Sequence, residues 1–500
     1  MLSDVKGAEC AAVRRAACSG SVMTARPGTT IALLTWLAAA VGCASLARAD
    51  EAAILRDLAA FFDAADLDLR ERLARRIEED AAYDRAKIGA WLHAAIPFEP
   101  RPPGQAALAV PLADGATRRV ALRLPAGYDA RQPWPLIYAL HGQGGGAGQI
   151  IAYVEQALGP HANEYVVAAP DRYDEVVVHQ TRWPPTGEHP TVLHALKRAV
   201  HVDSDRVFAL GYSRGGHTSW TLAVLHADQF AGVAPVAGTL LMQEVDRLWE
   251  HLLGNLMNTR VLCVWGAQDT LDDGGAAGDQ HGIAGLNRLL AAMTNRLKAP
   301  VVVHEDPHKG HGGVVPPPAL LEDLLASRRA HDPKAVRQTF RHIYQARCYW
   351  LEGHAWRGPQ WTDKPIELRF LPGEDASREE DVRQAFTRAF KALLGEISGE
   401  VDGQEIRVSR KNVSELTVWI GDDMLDWSRP VTLTVSGRQA FEGTLTPDLF
   451  VCLAQAQRTY DFERLRWAGL RFKSGSRTKL VSGRTEFAGF GVDPSTGELR

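Results

Sequence analysis

Cysteine is scarce in this chain. Only six of its 500 residues are Cys, and Cys10, Cys18 and Cys43 fall within the first fifty positions. The others, Cys263, Cys348 and Cys452, are too scattered for a disulfide framework or for metal-ligand spacing, and allow at most one bridge. Excess positive charge is missing as well: 56 Lys and Arg stand against 60 Asp and Glu, a formal net charge of −4. Nucleic-acid binding needs a concentrated basic face, so no nucleic-acid partner is expected. A glycine run, His141-Gly142-Gln143-Gly144-Gly145-Gly146, lacks the Lys-Ser or Lys-Thr end of a phosphate loop. A dinucleotide site needs the G-x-G-x-x-G spacing into a helix and an acidic residue about twenty positions on, and Asp171 lies too far on to hold a ribose. No metal or organic cofactor is expected.

Long hydrophobic runs are limited to the N-terminus. After Arg26, the stretch Pro27 to Ala47 carries no charge and ends in Ala47-Arg48-Ala49, a small-x-small pattern before Asp50. Residues 1–49 therefore read as a cleaved signal peptide, with Met23 as a candidate true start and a secreted or periplasmic destination. Two alternatives stay open. Gly28 to Ala47 is just long enough to span a membrane, and Cys43 in Ala40-Val41-Gly42-Cys43 offers a lipid attachment point. A stable membrane span is not the expectation.

The remaining composition, 45% hydrophobic and 23% charged, is that of ordinary globular material, and the length suggests about two to four domains. Glu51 to Ala95 has helical periodicity, with Leu69, Leu73 and Ile77 on one face, and is expected to form a helical hairpin packed on the next domain. Pro97, Pro100, Pro102 and Pro103 close this 50–105 segment as a linker.

From 106 to 330, apolar runs alternate with helical segments, the signature of a mostly parallel sheet with helices on both faces. The runs include Pro135 to Leu140, Tyr165 to Pro170, Val207 to Leu210, Gly232 to Gly238, Arg260 to Trp265 and Pro300 to His304. One of them leads into Gly211-Tyr212-Ser213-Arg214-Gly215-Gly216, followed by a helical stretch. A strand, a glycine-flanked Ser and a helix make the context of a nucleophile elbow, in which a Cβ at Gly211 or Gly215 would clash.

In a parallel sheet, reacting groups gather beyond the strands' C-terminal ends. After Val264-Trp265 comes Gly266-Ala267-Gln268-Asp269, which nominates Asp269 as the orienting carboxylate, with Asp272 and Asp273 as rivals. After the next strand comes His308-Lys309-Gly310-His311-Gly312-Gly313, which nominates His311 as the base and His308 as its rival. The order Ser213, Asp269, His311 suits a Ser-His-Asp triad on this sheet type. The glycine run after Leu140 fits an oxyanion loop, where backbone N–H groups of Gln143 or Gly144 join that of Arg214 in holding a developing negative oxygen. Trp183, in a proline-rich loop, is a candidate substrate-stacking residue, and Leu240 to Leu256 reads as an amphipathic helix that packs in the core or caps the site.

These residues carry a resemblance. From about Ala106 to Ala326 the chain resembles the α/β-hydrolase superfamily, and within it the secreted esterases of the polyhydroxybutyrate depolymerase and feruloyl or acetylxylan esterase kind. The resemblance implies a serine hydrolase acting on small-molecule or polysaccharide-linked carboxylic esters without a cofactor. Arg214 departs from it, since many such esterases carry Met or a small residue there. A prolyl oligopeptidase-like peptidase is the close alternative, weakened by the lack of propeller repeats; a non-catalytic binding protein on the same scaffold is the other.

From 331 to 500 the composition turns to short alternating strands around one helix, Arg378 to Leu394, and a β-rich accessory domain is expected. Strands are expected at Phe340 to Tyr344, Arg347 to Leu351, Ile366 to Phe370, Glu405 to Val408, Leu416 to Ile420 and Val431 to Val435. Trp350, Trp356, Trp361, Trp419 and Trp427 suggest either a carbohydrate platform or buried core. Asp422, Asp423 and Asp426 read as a solvated turn, since no twelve-residue calcium loop surrounds them.

Overall fold

A computed structural model describes residues 51–113, 115–173, 187–240, 251–270, 282–359 and 367–481. The chain forms two compact units, residues 1–54 with 80–83 and residues 55–79 with 84–500. In the first, residues 51–54 are helical and a turn is closed by the Tyr83 N–H on the Asp80 carbonyl at 3.0 Å. All that follows belongs to the second.

Its centre is an eight-stranded sheet of β1 (Gly104–Pro111), β2 (Thr117–Leu124), β3 (Trp134–Leu140), β4 (Val166–Pro170), β5 (Val202–Tyr212), β6 (Gly232–Val236), β7 (Arg260–Gly266) and β8 (Val301–Asp306). The spatial order is β1-β2-β4-β3-β5-β6-β7-β8. β1 and β2 form an antiparallel hairpin and β2 pairs antiparallel with β4; every pair from β4 to β8 is parallel. Parallel strands require crossovers, which put helices on both faces, and this is why β3 and β5 are apolar at consecutive positions. Leu136, Tyr138, Leu140, Val207 and Ala209 enter one core with Val192, Leu196 and Trp220, while Ile137, Ala139, Phe208 and Leu210 enter the other with Ile150, Val154 and Leu321.

Beyond the sheet lie two five-stranded sheets with a common core that includes Phe340, Trp350, Ile397, Val418 and Leu433. One contains β9 (Ala335–Phe340), the other β10 (Arg347–Cys348) and β11 (Leu351–Trp356). Of the tryptophans, Trp350 is fully buried, Trp419 is buried with its indole N–H on Glu352 at 2.7 Å, and Trp356 and Trp427 pack partly buried against this core. Trp361 lies outside the described residues. The turn is solvated as expected: Asp423 and Asp426 are exposed, and the partly exposed Asp422 is approached by Arg85 at 3.3 Å.

Other expectations are corrected. Phe340 ends a strand, and Ile343–Gln345 is a turn of 3-10 helix held by reciprocal caps between His342 and Gln345. Ile366 lies outside the described residues, and residues 367–370 alternate like a strand but pair with no neighbour among the described residues. A strand at Gly395–Asp402 and a helix at Leu449–Thr459 were not expected. Cys263, Cys348 and Cys452 are each buried and free, so these three form no bridge.

The N-terminal helical segment packs on the far end of the chain as well as on the neighbouring sheet. Phe61 meets Phe450 edge-on at 5.7 Å, Phe62 meets Tyr460 and Phe462 at 5.8 Å each, and Gln457 Nε2 donates to the Phe62 carbonyl at 2.7 Å. The helix Ile88–Ala95 bridges both regions: His93 Nδ1 lies 2.8 Å from His201 Nε2, and its other nitrogen lies 3.2 Å from Glu463. The aromatic side of this segment is thus covered by groups nearly four hundred residues away.

Candidate active site

β5 delivers Ser213 at its C-terminal end, and the helix Arg214–Leu225 begins at the next residue. Between them Ser213 adopts φ 57°, a conformation that L-residues avoid and that persists only where surroundings over-determine it. Those surroundings are visible. The Ser213 N–H donates to the Val236 carbonyl at 2.8 Å, and its carbonyl accepts from His217 N–H at 3.0 Å. A Cβ on Gly211 would lie 2.1 Å from the Gly215 carbonyl oxygen, and one on Gly215 would lie 2.0 Å from that of Leu140. Only glycine lets strand and helix approach this closely.

Three predicted side chains come together. Ser213 Oγ lies 2.7 Å from His311 Nε2, and His311 Nδ1 lies 2.8 Å from Asp269 Oδ2. Asp269 is buried, while His311 is about one-third exposed at 36%. Their loops, following β7 and β8, are stitched to one another: Ala267 N–H donates to the Asp306 carbonyl at 2.8 Å, and Gln268 N–H to that of Lys309 at 2.9 Å. The rival His308 sits exposed in the turn, its N–H on Asp306 Oδ1 at 2.9 Å. Asp272, Asp273 and Trp183 lie outside the described residues. Leu252, Leu253 and Leu256, the described end of the suspected capping helix, are core residues.

The glycine run after β3 approaches the same serine. A Cβ on Gly142 would lie 3.2 Å from Ser213 Cβ. His141 braces this loop, with Nδ1 2.8 Å from the Gly142 carbonyl and Nε2 3.1 Å from that of Asp171, while Tyr173 donates its hydroxyl to the His141 carbonyl. Gln143 and Gly144 are exposed, and Gly144 has φ 68°. Arg214 is half-buried at the helix's first position, where backbone N–H groups point out along the axis. Behind the serine, burial pushes His217 down to about 4, so it stays neutral.

Sequence reasoning overlooked one contact: Tyr212 donates its phenol hydroxyl to the His311 carbonyl. The only signal for it was its place inside the elbow motif. Among the described residues no group of three or more His, Cys, Asp and Glu side chains has metal-site geometry, and no helix is long and apolar enough to cross a membrane.

Residues 114–281 match the Esterase family, described as "Putative esterase". "Putative esterase NocK" of Nocardia uniformis subsp. tsuyamanensis is 34% identical over 25% of this chain and 39% of its own length. "Probable feruloyl esterase C" of Aspergillus niger is 28% identical over 25% of this chain and 47% of its own. The chain thus spans less than half the length of these curated relatives. Among solved structures, a thermostable esterase is similar over 45% of this chain and 63% of its own, at 17% identity and a TM-score of 0.35. The sheet order and the elbow are those of an α/β-hydrolase fold, and residues 114–281 within it are similar to the Esterase family.

Proposed function

We propose that the chain is a serine hydrolase that cleaves carboxylic esters through an acyl-enzyme on Ser213. The observation that carries this reading is the unbroken path from Ser213 Oγ to His311 and on to buried Asp269, at 2.7 and 2.8 Å. A serine hydroxyl is a poor nucleophile alone, so neutral His311 takes its proton as Oγ attacks the ester carbonyl. Asp269 holds Nδ1–H of the imidazole, which fixes the tautomer and stabilises the imidazolium. The tetrahedral oxygen is held by the backbone N–H of Arg214 and one from Gln143 or Gly144, each such donor lowering the barrier by about 3 kcal/mol. The imidazolium then protonates the leaving alcohol, and water repeats the sequence to release the acid.

Substrates of this reading are small-molecule or polysaccharide-linked esters, with Trp183 as a candidate stacking partner. The uncharged stretch Pro27 to Ala47 and the following Ala47-Arg48-Ala49 support export with cleavage before Asp50, which N-terminal sequencing of the mature protein tests. The central test is turnover of p-nitrophenyl acetate, butyrate and octanoate, methyl ferulate and a prolyl-nitroanilide by wild type and Ser213→Ala. Ester turnover lost in the variant supports the reading. Anilide turnover alone moves it to a peptidase, and silence without fluorophosphonate labelling moves it to a binding scaffold.

A further inference from the structure

Three glycines, Gly310, Gly312 and Gly313, surround His311, and residues 309–317 belong to no helix or strand. Glycine leaves the backbone the widest conformational freedom, so the imidazole's place opposite Ser213 has to be fixed by contacts from elsewhere. Asp269 restrains the ring. The backbone is gripped by two tyrosines. Tyr212, the last residue of β5, donates to the His311 carbonyl, and Tyr153, from the helix Ala147–Leu158, donates to the Val314 carbonyl at 2.8 Å. Their rings lie 5.2 Å apart, and the Tyr212 ring lies 6.0 Å from the His311 ring. Burial raises both phenols above their usual range, so both are protonated donors at neutral pH.

We propose that Tyr212 and Tyr153 are positioning residues that hold the base loop in register with the nucleophile. The arrangement has a direct mechanical sense: Tyr212 is bonded covalently to Ser213, so the element that sets the hydroxyl also sets the backbone of the imidazole it must reach. A displacement of about 1 Å between reacting groups can lower the rate about a hundredfold, and a loop rich in glycine tolerates such a displacement at little cost. This inference rests on the hydrolase reading above.

The test is steady-state turnover of p-nitrophenyl acetate, with the rate of fluorophosphonate labelling, for wild type, Tyr212→Phe, Tyr153→Phe and the double variant. Tyr212→Phe is expected to lower kcat about 10- to 100-fold, with KM within about twofold and labelling slowed by a like factor but reaching the same extent. Tyr153→Phe, one step further away, is expected to cost less, and the double variant less than the product of the two, since both act on one loop. A purely structural role would change the thermal midpoint and leave kcat per folded molecule intact, and that result overturns the inference. So does an unchanged kcat in Tyr212→Phe beside an active wild type. Should Tyr212→Phe fail to fold, the kcat of Tyr153→Phe decides. A wild type that neither labels nor turns over ester removes the hydrolase reading itself, and is distinguished by being read before any variant.

Discussion

At the C-terminal ends of β5, β7 and β8, the buried carboxylate of Asp269 meets a single imidazole, which meets a single hydroxyl. At the opposite ends, Asp228 just before β6 and Asp461 meet guanidinium groups instead, while Asp205 at the start of β5 meets both a guanidinium and the imidazole of His331. Arg329 grips Asp461 with both terminal nitrogens, at 2.7 and 2.9 Å, and reaches Asp205 at 3.3 Å. Arg464 reaches Asp228 at 3.2 Å, and His331 lies 2.7 Å from Asp205. Arg329, Asp461, Asp228 and Arg464 are all buried. Burial would raise the Asp461 carboxyl, yet Arg329, Lys197 and Arg464 hold it well below the usual carboxylate range. The difference lies in the partner: an arginine does not release its proton, so these pairs lock. An imidazole can take or give one near neutral pH, so the Asp269 pair can do chemistry. One end of the sheet fastens segments from 205 to 464 together, and the other end holds the proposed reacting groups.

The sharpest way to break this contrast is at Ser213. Ser213→Ala is expected to abolish ester turnover by about 10⁴-fold or more, with the thermal midpoint nearly unchanged, as scanning fluorimetry would record.

The opposite result is expected at the other end. Arg329→Ala removes the bidentate partner of buried Asp461, leaving it only Arg464 and Lys197, and should cost about 3 kcal/mol in urea unfolding, while kcat of the molecules that remain folded is unaltered. Replacing both partners, Arg329→Met with Asp461→Leu, should recover part of that loss, because the pair leaves together while buried Lys197 and Arg464 lose one acidic neighbour. A double variant as unstable as Arg329→Ala would show that the pair does more than satisfy its own burial.

Acidification should act more diffusely. Burial pushes His189 and His194 down to about 3, and His201, His217 and His226 to about 4. In the unfolded chain these imidazoles take up protons near pH 6.5. The stability they contribute is therefore complete above about pH 6.5 and is lost as the pH falls toward about 4. Urea midpoints at pH 7, 5.5 and 4.5 should decline in that order.

The smallest effect is expected at Lys197, buried in the structural cluster, where burial lowers the ammonium to about 8. The unfolded chain keeps that proton until about pH 10.4, so this group adds stability as the pH rises from about 8. Lys197→Met should flatten that rise.

Much of the site was legible because its chemistry is local. Gly211 and Gly215 announce a turn that only glycine can make, and Asp269 and His311 each follow an apolar run with a turn signal. Where two candidates sat within a few residues, as with His308 and His311, the chain alone left the rival open, since a loop has no periodicity to say which side chain turns inward. The apolar runs of the parallel strands were equally legible, because burial on both faces removes polar residues from the sequence itself.

The accessory region was harder. Residues 367–370 have the alternation of a strand but no paired neighbour among the described residues, whereas Gly395–Asp402 carries charge and pairs on both sides.

The sequence by itself determined the sheet type, the elbow and the residue types available for acyl transfer, because periodicity and steric exclusion act between near neighbours. Tertiary structure alone decided that Tyr212 would hold the His311 carbonyl, that Arg329 would join Asp205 to Asp461, and that Phe61 would meet Phe450. Each of those contacts joins groups about a hundred or more residues apart, and no local pattern encodes a distance that only the folded chain brings within a few ångströms.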